Sequence, residues 1–332
     1  MIGEIRFDPS FKDADRTPMP LSRTIPLLLA LLFLGTLTVA PPAGPHQKSR
    51  ADRAMLDPTA QAPTDAELRD RREKLIANQH ADDEALNLYE RIERHVELTD
   101  GPNPRVLDDR TYRVVPTGGG TMKILLRDHS EAVSAEEYRH QLEAWRDVLE
   151  TMSTPGNSKG DAARAKYEKR QRQRAEFVEA AQDAFLPKWI GRETCTGHPC
   201  DVFELNPNPA FHPRSMFQDA LAHVAAKIWV DRDSEQLVRG EASVVSDIYF
   251  FAGIAGKVYR GSRVEMEQSE VAPGIWLPTH YEYDFAGRKF LFHFSQHETI
   301  DVTQYRRIGP PREALADVKK ELASGKGPVG NL

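Results

Sequence analysis

Over residues 275–298 the chain alternates side-chain character with a period of two, and nothing else in the sequence restricts the fold as much. In 275–285 the odd positions Ile275, Leu277, Tyr281, Tyr283 and Phe285 are apolar, and the even ones include His280, Glu282 and Asp284. In 288–298 the even positions Phe290, Phe292 and Phe294 are aromatic, with His293, Ser295 and His297 opposite. Such a period belongs to strands with one face in a core and one toward solvent. A two-residue turn at Ala286-Gly287 would pair Tyr283 with Phe290 and Tyr281 with Phe292, all on one face. One strand earlier, Val264 and Met266 join that face if the loop at 271–274 holds an even number of residues. A turn at 231–234 likewise puts Trp229 beside Val238, Ala242 and Val244. The expectation is an antiparallel meander over 189–305 with one apolar, aromatic-rich face and one polar face.

Upstream, 105–115 and 121–128 flank Pro116-Thr-Gly-Gly-Gly120 and predict a strand, turn, strand unit. Thr64-Asp-Ala-Glu67 is a capping box that predicts a charged helix to about residue 79. Residues 88–98 fit both a helical stripe and one face of a strand. A second box, Ser134-Ala-Glu-Glu137, opens a helix with Tyr138, Leu142, Trp145, Leu149 and Met152 on one side. After a break at 155–160, a further helix over 161–185 turns Tyr167, Phe177, Val178, Ala181 and Phe185 inward. The two helices form an insertion, 134–185, in an α+β chain.

Location follows from an apolar run, IPLLLALLFLGTLTV at 25–39, preceded by Arg23 and followed by a Pro-rich polar stretch. A membrane span needs about 20 apolar residues, whereas a secretory h-region takes roughly 7 to 15. The expectation is an exported chain of the periplasm or cell envelope that starts at Met19, with 1–44 as start and leader. It is cut so that the mature chain begins between Ala40 and Ala51; a retained anchor is the alternative. A disordered linker at 45–63, the domain at 64–308 and a tail at 309–332 complete the organisation. The chain is 332 residues long with a net charge of −6, so no global attraction draws it to nucleic acid or anionic lipid. Its two cysteines, Cys195 and Cys200, stand in RETCTGHPC. In an oxidising compartment this spacing favours a disulfide at a hairpin tip, with unpaired buried thiols or a metal or redox site as the other readings.

A screen for chemistry yields no catalytic set. Gly156-Asn-Ser-Lys-Gly160 matches G-x-S-x-G, but that elbow needs a strand before it. The Gly118 to Gly120 triplet lacks the Lys-Ser/Thr of a phosphate loop. His293 and His297 would lie about 13 Å apart along a strand, too far to share a metal ion. Asp231-Arg-Asp233 begins like a calcium loop, but Gln236 occupies the position that requires Gly. The basic run at 164–174 is expected to be a solvated helix face with i to i+4 ion pairs. No cofactor and no metal site is expected.

AKIWVDRDSEQLVRGEA, KVYRGSRVEMEQSEV and GIWLPTHYEYDFAGRKFLFHF together resemble the outer-membrane lipoprotein-sorting proteins and their bacterial envelope relatives. The matched features are Ile228-Trp229-Val230-Asp231, Arg260-Gly261 and Trp276-Leu-Pro278, with the Pro-rich FELNPNPAFHP at 203–213 upstream. The resemblance spans about 88–308 and makes 89–98 a strand. It implies a half-barrel, a curved antiparallel sheet wrapped around helices, whose apolar concavity holds acyl chains of lipids or lipoproteins. No ligand residue carries over by motif. The face assignment alone therefore nominates Trp229, Val264, Met266, Leu277, Tyr281, Tyr283, Phe290, Phe292 and Phe294 as ligand-binding. The expected function is non-enzymatic binding of an apolar ligand, with a filled core and an envelope protein partner as the alternative.

Overall fold

The computed structural model describes residues 56–101, 103–250, 256–325 and 327–328. The expected start, leader and most of the linker lie outside these residues. In chain order the elements are α1 (Asp65–Leu86), β1 (Tyr89–Leu98), β2 (Val106–Pro116), β3 (Thr121–Asp128), β4 (Glu131–Ala132), α2 (Ala135–Ser153) and α3 (Ser158–Ala184). Then follow β5 (Phe185–Cys195), β6 (His198–Pro207), α4 (Met216–Asp219), β7 (Val224–Asp231), β8 (Leu237–Val244), β9 (Ile248–Phe250) and β10 (Gly256–Val258). The chain closes with β11 (Arg263–Ala272), β12 (Ile275–Lys289), β13 (Phe292–Arg307) and α5 (Pro311–Ser324). One curved, open antiparallel sheet runs in the order β4-β3-β2-β1-β13-β12-β11-β8-β7-β6-β5, with β10 beside the end of β12 and β9 beside β10.

Both caps form where the sequence places them. Thr64 and Glu67 complete a reciprocal box, while Ser134 Oγ accepts the Glu137 N–H at 3.1 Å. The five residues expected on the apolar side of α2, Tyr138, Leu142, Trp145, Leu149 and Met152, are all buried. Of the linker, the described residues 56–63 are tied to β5 through Arg192, which exchanges two backbone hydrogen bonds with Asp57 (2.7 and 3.0 Å) and donates from its side chain to the Gln61 carbonyl (3.0 Å).

Helices occupy both faces of the sheet. On the inner face α1, α3 and α4 cover the main core, where Phe177, Leu221, Met266, Tyr281, Tyr283, Phe285 and Ile300 meet. On the outer face α2 and α5 pack on β2 and β3, around Trp145, Ile124, Leu142 and Val318. The expected insertion is thus split, with α2 outside and α3 inside. The expected tail is in part a helix, since α5 buries Ala314 and Val318. Pro311 at its first position and Gly325, in the left-handed conformation at its end, supply its start and stop.

The β12–β13 register differs from expectation. Tyr283 pairs with Glu298 and Tyr281 with Ile300, and the strands run on until Lys289 meets Phe292. Gly287 is a strand residue and not a turn. A Cβ there would lie 2.7 Å from the Phe294 ring and would strike the Lys257 carbonyl of β10, so the glycine admits a neighbouring backbone and a cross-strand aromatic ring. The turn falls on Phe290-Leu291, with Phe290 at φ +53°. Phe290 and Phe292 consequently stand in solvent, 53% and 79% exposed. Val264 and Met266 do join the inner face, opposite Tyr283 and Tyr281, although β11 runs on until Ala272 meets Ile275 and leaves only Pro273-Gly274 as the turn in place of the four-residue loop expected.

Candidate functional site

Helix α1 crosses the inner face over β5 to β8 and is held there mainly by polar bonds. Arg71 donates to Asp201 of β6 (2.5 Å) and to Glu235 (2.8 Å), and the Asn78 amide donates to the carbonyls of Ser234 and Glu235. Near its C-terminus Asp82 accepts the Trp276 N–H at 2.9 Å, and Asp83 pairs with Arg174 of α3 at 2.5 Å. Among the α1 side chains only Asp82 and Leu86 are buried.

A slot of about 270 Å3 lies under α1, walled by α3 on one side and floored by β5 to β8. From α1 it receives Leu68, Arg71, Arg72, Leu75, Ile76, Gln79, His80 and Asp83, spaced three and one apart so that one helical face looks in. Val178, Ala181 and Phe185 close the α3 side, and Phe203, Leu205, Ala226, Ile228 and Val230 form the floor. Leu75, Ile76, Leu205 and Ile228 face this space yet are only half-buried. Both amide atoms of Gln79 are shielded from solvent and have no partner, as is Nη2 of Arg71. A buried amide without partners costs about 1–3 kcal/mol, so the slot carries unmet hydrogen-bonding capacity among apolar walls.

Electrostatics fix one end of the slot. Asp201 is fully buried and accepts from Arg71, from Trp189 Nε1 (2.8 Å) and from Arg192 (3.2 Å). Burial would raise its pKa, but these donors hold it below the usual carboxylate range. Asp83 is pushed up by burial, with Arg174 opposing.

The nine nominated residues do not line this slot. Val264, Met266, Tyr281 and Tyr283 are buried in the main core beside it, and Phe294 packs against the edge of that core. Leu277 belongs to a smaller cluster with Leu86 and Tyr89. Trp229 is on the outer face, because a bulge after it pairs it with Arg239 and leaves it with Cys195, Cys200, Val202, Val238 and Trp276. Ala242 and Val244, its expected neighbours, are inside. Phe290 and Phe292 are beyond the core altogether. The slot residues of α1 went unnoticed because Leu68, Leu75 and Ile76 are diluted by charged neighbours, which makes the helix read as a solvated one.

Cys195 and Cys200 are buried free thiols. The β5–β6 register pairs Cys195 with His198 and Cys200 with Glu193, so the two are diagonal neighbours on the outer face. The hydrogen bond to Cys200 and burial push the Cys195 thiol up. The expected bridge is not formed, since this diagonal placement brings the thiols into contact without joining them.

Titratable groups elsewhere are engaged with one another. On the inner face His95 has Glu298 on Nδ1 (2.8 Å) and Glu93 on Nε2 (2.9 Å), and Lys123 lies 3.1 Å from Glu93. Both ring nitrogens of His95 are engaged, and Lys123 Nζ also lies 2.9 Å from Nε2, so the ring offers no free base. Burial would lower its pKa, but the two carboxylates raise it. Ser158 of G-x-S-x-G opens α3 directly after another helix. The Asp231 carboxylate is spent on its own turn, accepting from Asp233 N–H and Ser234 Oγ. Asp108, Asp128 and His129 lie within ligating distance of one another, but Arg110 pairs with both carboxylates.

No family model matches this sequence, and no curated protein does. Solved structures similar to it include a domain assigned to outer membrane lipoprotein sorting from Vibrio parahaemolyticus, at 9% identity and TM-score 0.32 over 75% of this chain and 97% of that one. Others are a DUF1329 family protein from Desulfovibrio piger (12%, TM-score 0.28, 72% and 92%) and a LolA superfamily protein from Nitrosomonas europaea (11%, TM-score 0.28, 72% and 96%). The chemistry of the slot has to be read from this chain's own residues.

Proposed function

We propose that this chain is a non-enzymatic binding protein of the bacterial envelope that takes the acyl chain of a lipid or lipoprotein into the slot beneath α1. One observation carries the reading: apolar side chains on both α1 and the strand floor point into a common space and are left half-buried. Filling that space with a hydrocarbon stabilises the complex by about 25 cal/mol per Å2 of apolar surface removed from water. The unpartnered Gln79 amide suits a carbonyl or hydroxyl on the same ligand. The apolar run at 25–39 supports export. This reading moves the ligand away from the β12–β13 aromatics, whose inner members are packed core.

The test is binding of a fluorescent fatty-acyl probe. Leu205→Trp, which fills the floor of the slot, is expected to weaken probe binding at least about tenfold while leaving the unfolding midpoint near that of the parent. Phe292→Ala, at an exposed site, is expected to leave binding unchanged. A parent protein that binds no probe, or a Leu205→Trp variant that binds as the parent does, overturns the proposal in favour of a partner-binding protein.

A further inference from the structure

The tip of the β12–β13 hairpin has no role in the slot and an unusual surface. Phe290, Leu291 and Phe292 are 53%, 83% and 79% exposed, which leaves three consecutive large apolar side chains in water at one apex. Phe290 holds φ +53° to make the turn, a conformation that a bulky side chain rarely adopts. A soluble surface with no use for these residues would carry Asn-Gly or Asp-Gly here.

Cations surround the apex. Arg288 and Lys289 end β12, Lys257 of β10 pairs with Arg288, and Arg260 follows in an exposed position. The acid in their midst, Asp247, is bound to Lys257 at 2.6 Å. Tyr249 of β9 is 49% exposed and stands in the same row, opposite Lys257. This cationic end contrasts with a chain whose net charge is −6. An apolar point, a basic collar and a tyrosine behind it match, in order, what an anionic bilayer presents from its centre outward: acyl chains, phosphates and the wet interface.

We propose that this hairpin tip docks the protein on an anionic lipid bilayer, with Phe290, Leu291 and Phe292 in the acyl boundary and Arg260, Arg288 and Lys289 on the headgroups. Docking through the tip leaves the slot and its ligand chemistry unaltered.

The experiment is co-sedimentation of the protein with vesicles of phosphatidylethanolamine and phosphatidylglycerol. The parent is expected to bind, and to bind less at high salt and to phosphatidylcholine vesicles, because the collar acts electrostatically. Leu291→Glu with Phe292→Glu is expected to lower partitioning at least about tenfold with an unchanged circular dichroism spectrum. In a Leu291→Trp variant, the added emission is expected to shift to the blue on vesicles and to be quenched by brominated acyl chains. Leu205→Trp is expected to dock as the parent does, which separates this surface from the slot. The proposal is overturned if the parent ignores the vesicles, if the double variant binds them equally, or if the parent self-associates in their absence through contacts that the double variant abolishes.

Discussion

Asp82 shows how a single side chain balances architecture against charge. Its Oδ1 ties α1 to β12 through Trp276, while Oδ2 is buried without a partner. Burial raises its pKa to about 6, against opposing hydrogen bonds from Trp276 and Gln236. The folded value lies above the unfolded one, so the favourable contribution is complete below the unfolded pKa of 3.8 and is lost as pH rises through about 6. Asp82→Asn keeps an acceptor for Trp276 and removes the charge. It is expected to add about 1–2 kcal/mol to the unfolding free energy at pH 7.5 and nothing at pH 4, measured by urea denaturation at both pH values. Equal effects at the two pH values would show that the charge is not the cause. The same scale explains the missed register. Gly287 signals a turn by composition, and its actual use, letting Phe294 and the Lys257 carbonyl approach, depends on groups that are not adjacent in sequence.

At the scale of elements, the clearest dependence is between α2 and the tail helix α5. Trp145 is fully buried between them and β2, and its Nε1 donates to the Pro116 carbonyl at 3.1 Å. Trp145→Ala is expected to cost about 3–5 kcal/mol in unfolding free energy, because the cavity and the lost hydrogen bond add. A cost under about 1 kcal/mol in chemical denaturation would mean that α2 and α5 are not a cooperative part of the fold. The stripe of α2 was legible from its spacing. That of α5 was equally present, in Leu315, Val318 and Leu322, but it lies beyond 308, where the resemblance to lipoprotein-sorting proteins ends. For α1 the cap was legible and the inward face was not, since a helix over an open slot needs fewer apolar residues than one sealed against a core.

For the whole molecule, compartment and covalent state are linked. Cys195 and Cys200 are hydrogen-bonded diagonal neighbours on the outer face, so the reduced and bridged states differ by a local rearrangement of β5 and β6. If the chain is exported, protein isolated from the envelope is expected to show no alkylatable thiol before reduction and two after it, read by mass spectrometry. Two free thiols in native protein would exclude the bridge and weigh against export. Two aspects of this fold have different origins. The period of two in β11 to β13, the caps of α1 and α2 and the apolar stripe of α2 are local, and the sequence alone determined the α+β class, the antiparallel meander and the inward parity of Tyr281, Tyr283, Val264 and Met266. The tertiary structure decided which rung each strand occupies, which face each helix covers and where space is left. Sliding β13 by eight residues, from Phe290 to Glu298 opposite Tyr283, keeps every side chain on its own face. Alternation is therefore blind to the slip. Contacts distant in sequence choose between the registers, among them Phe294 over Gly287 and Glu298 on His95. The slot has the same origin, because it is a volume left between α1, α3 and four strands, and no local pattern encodes an unfilled space.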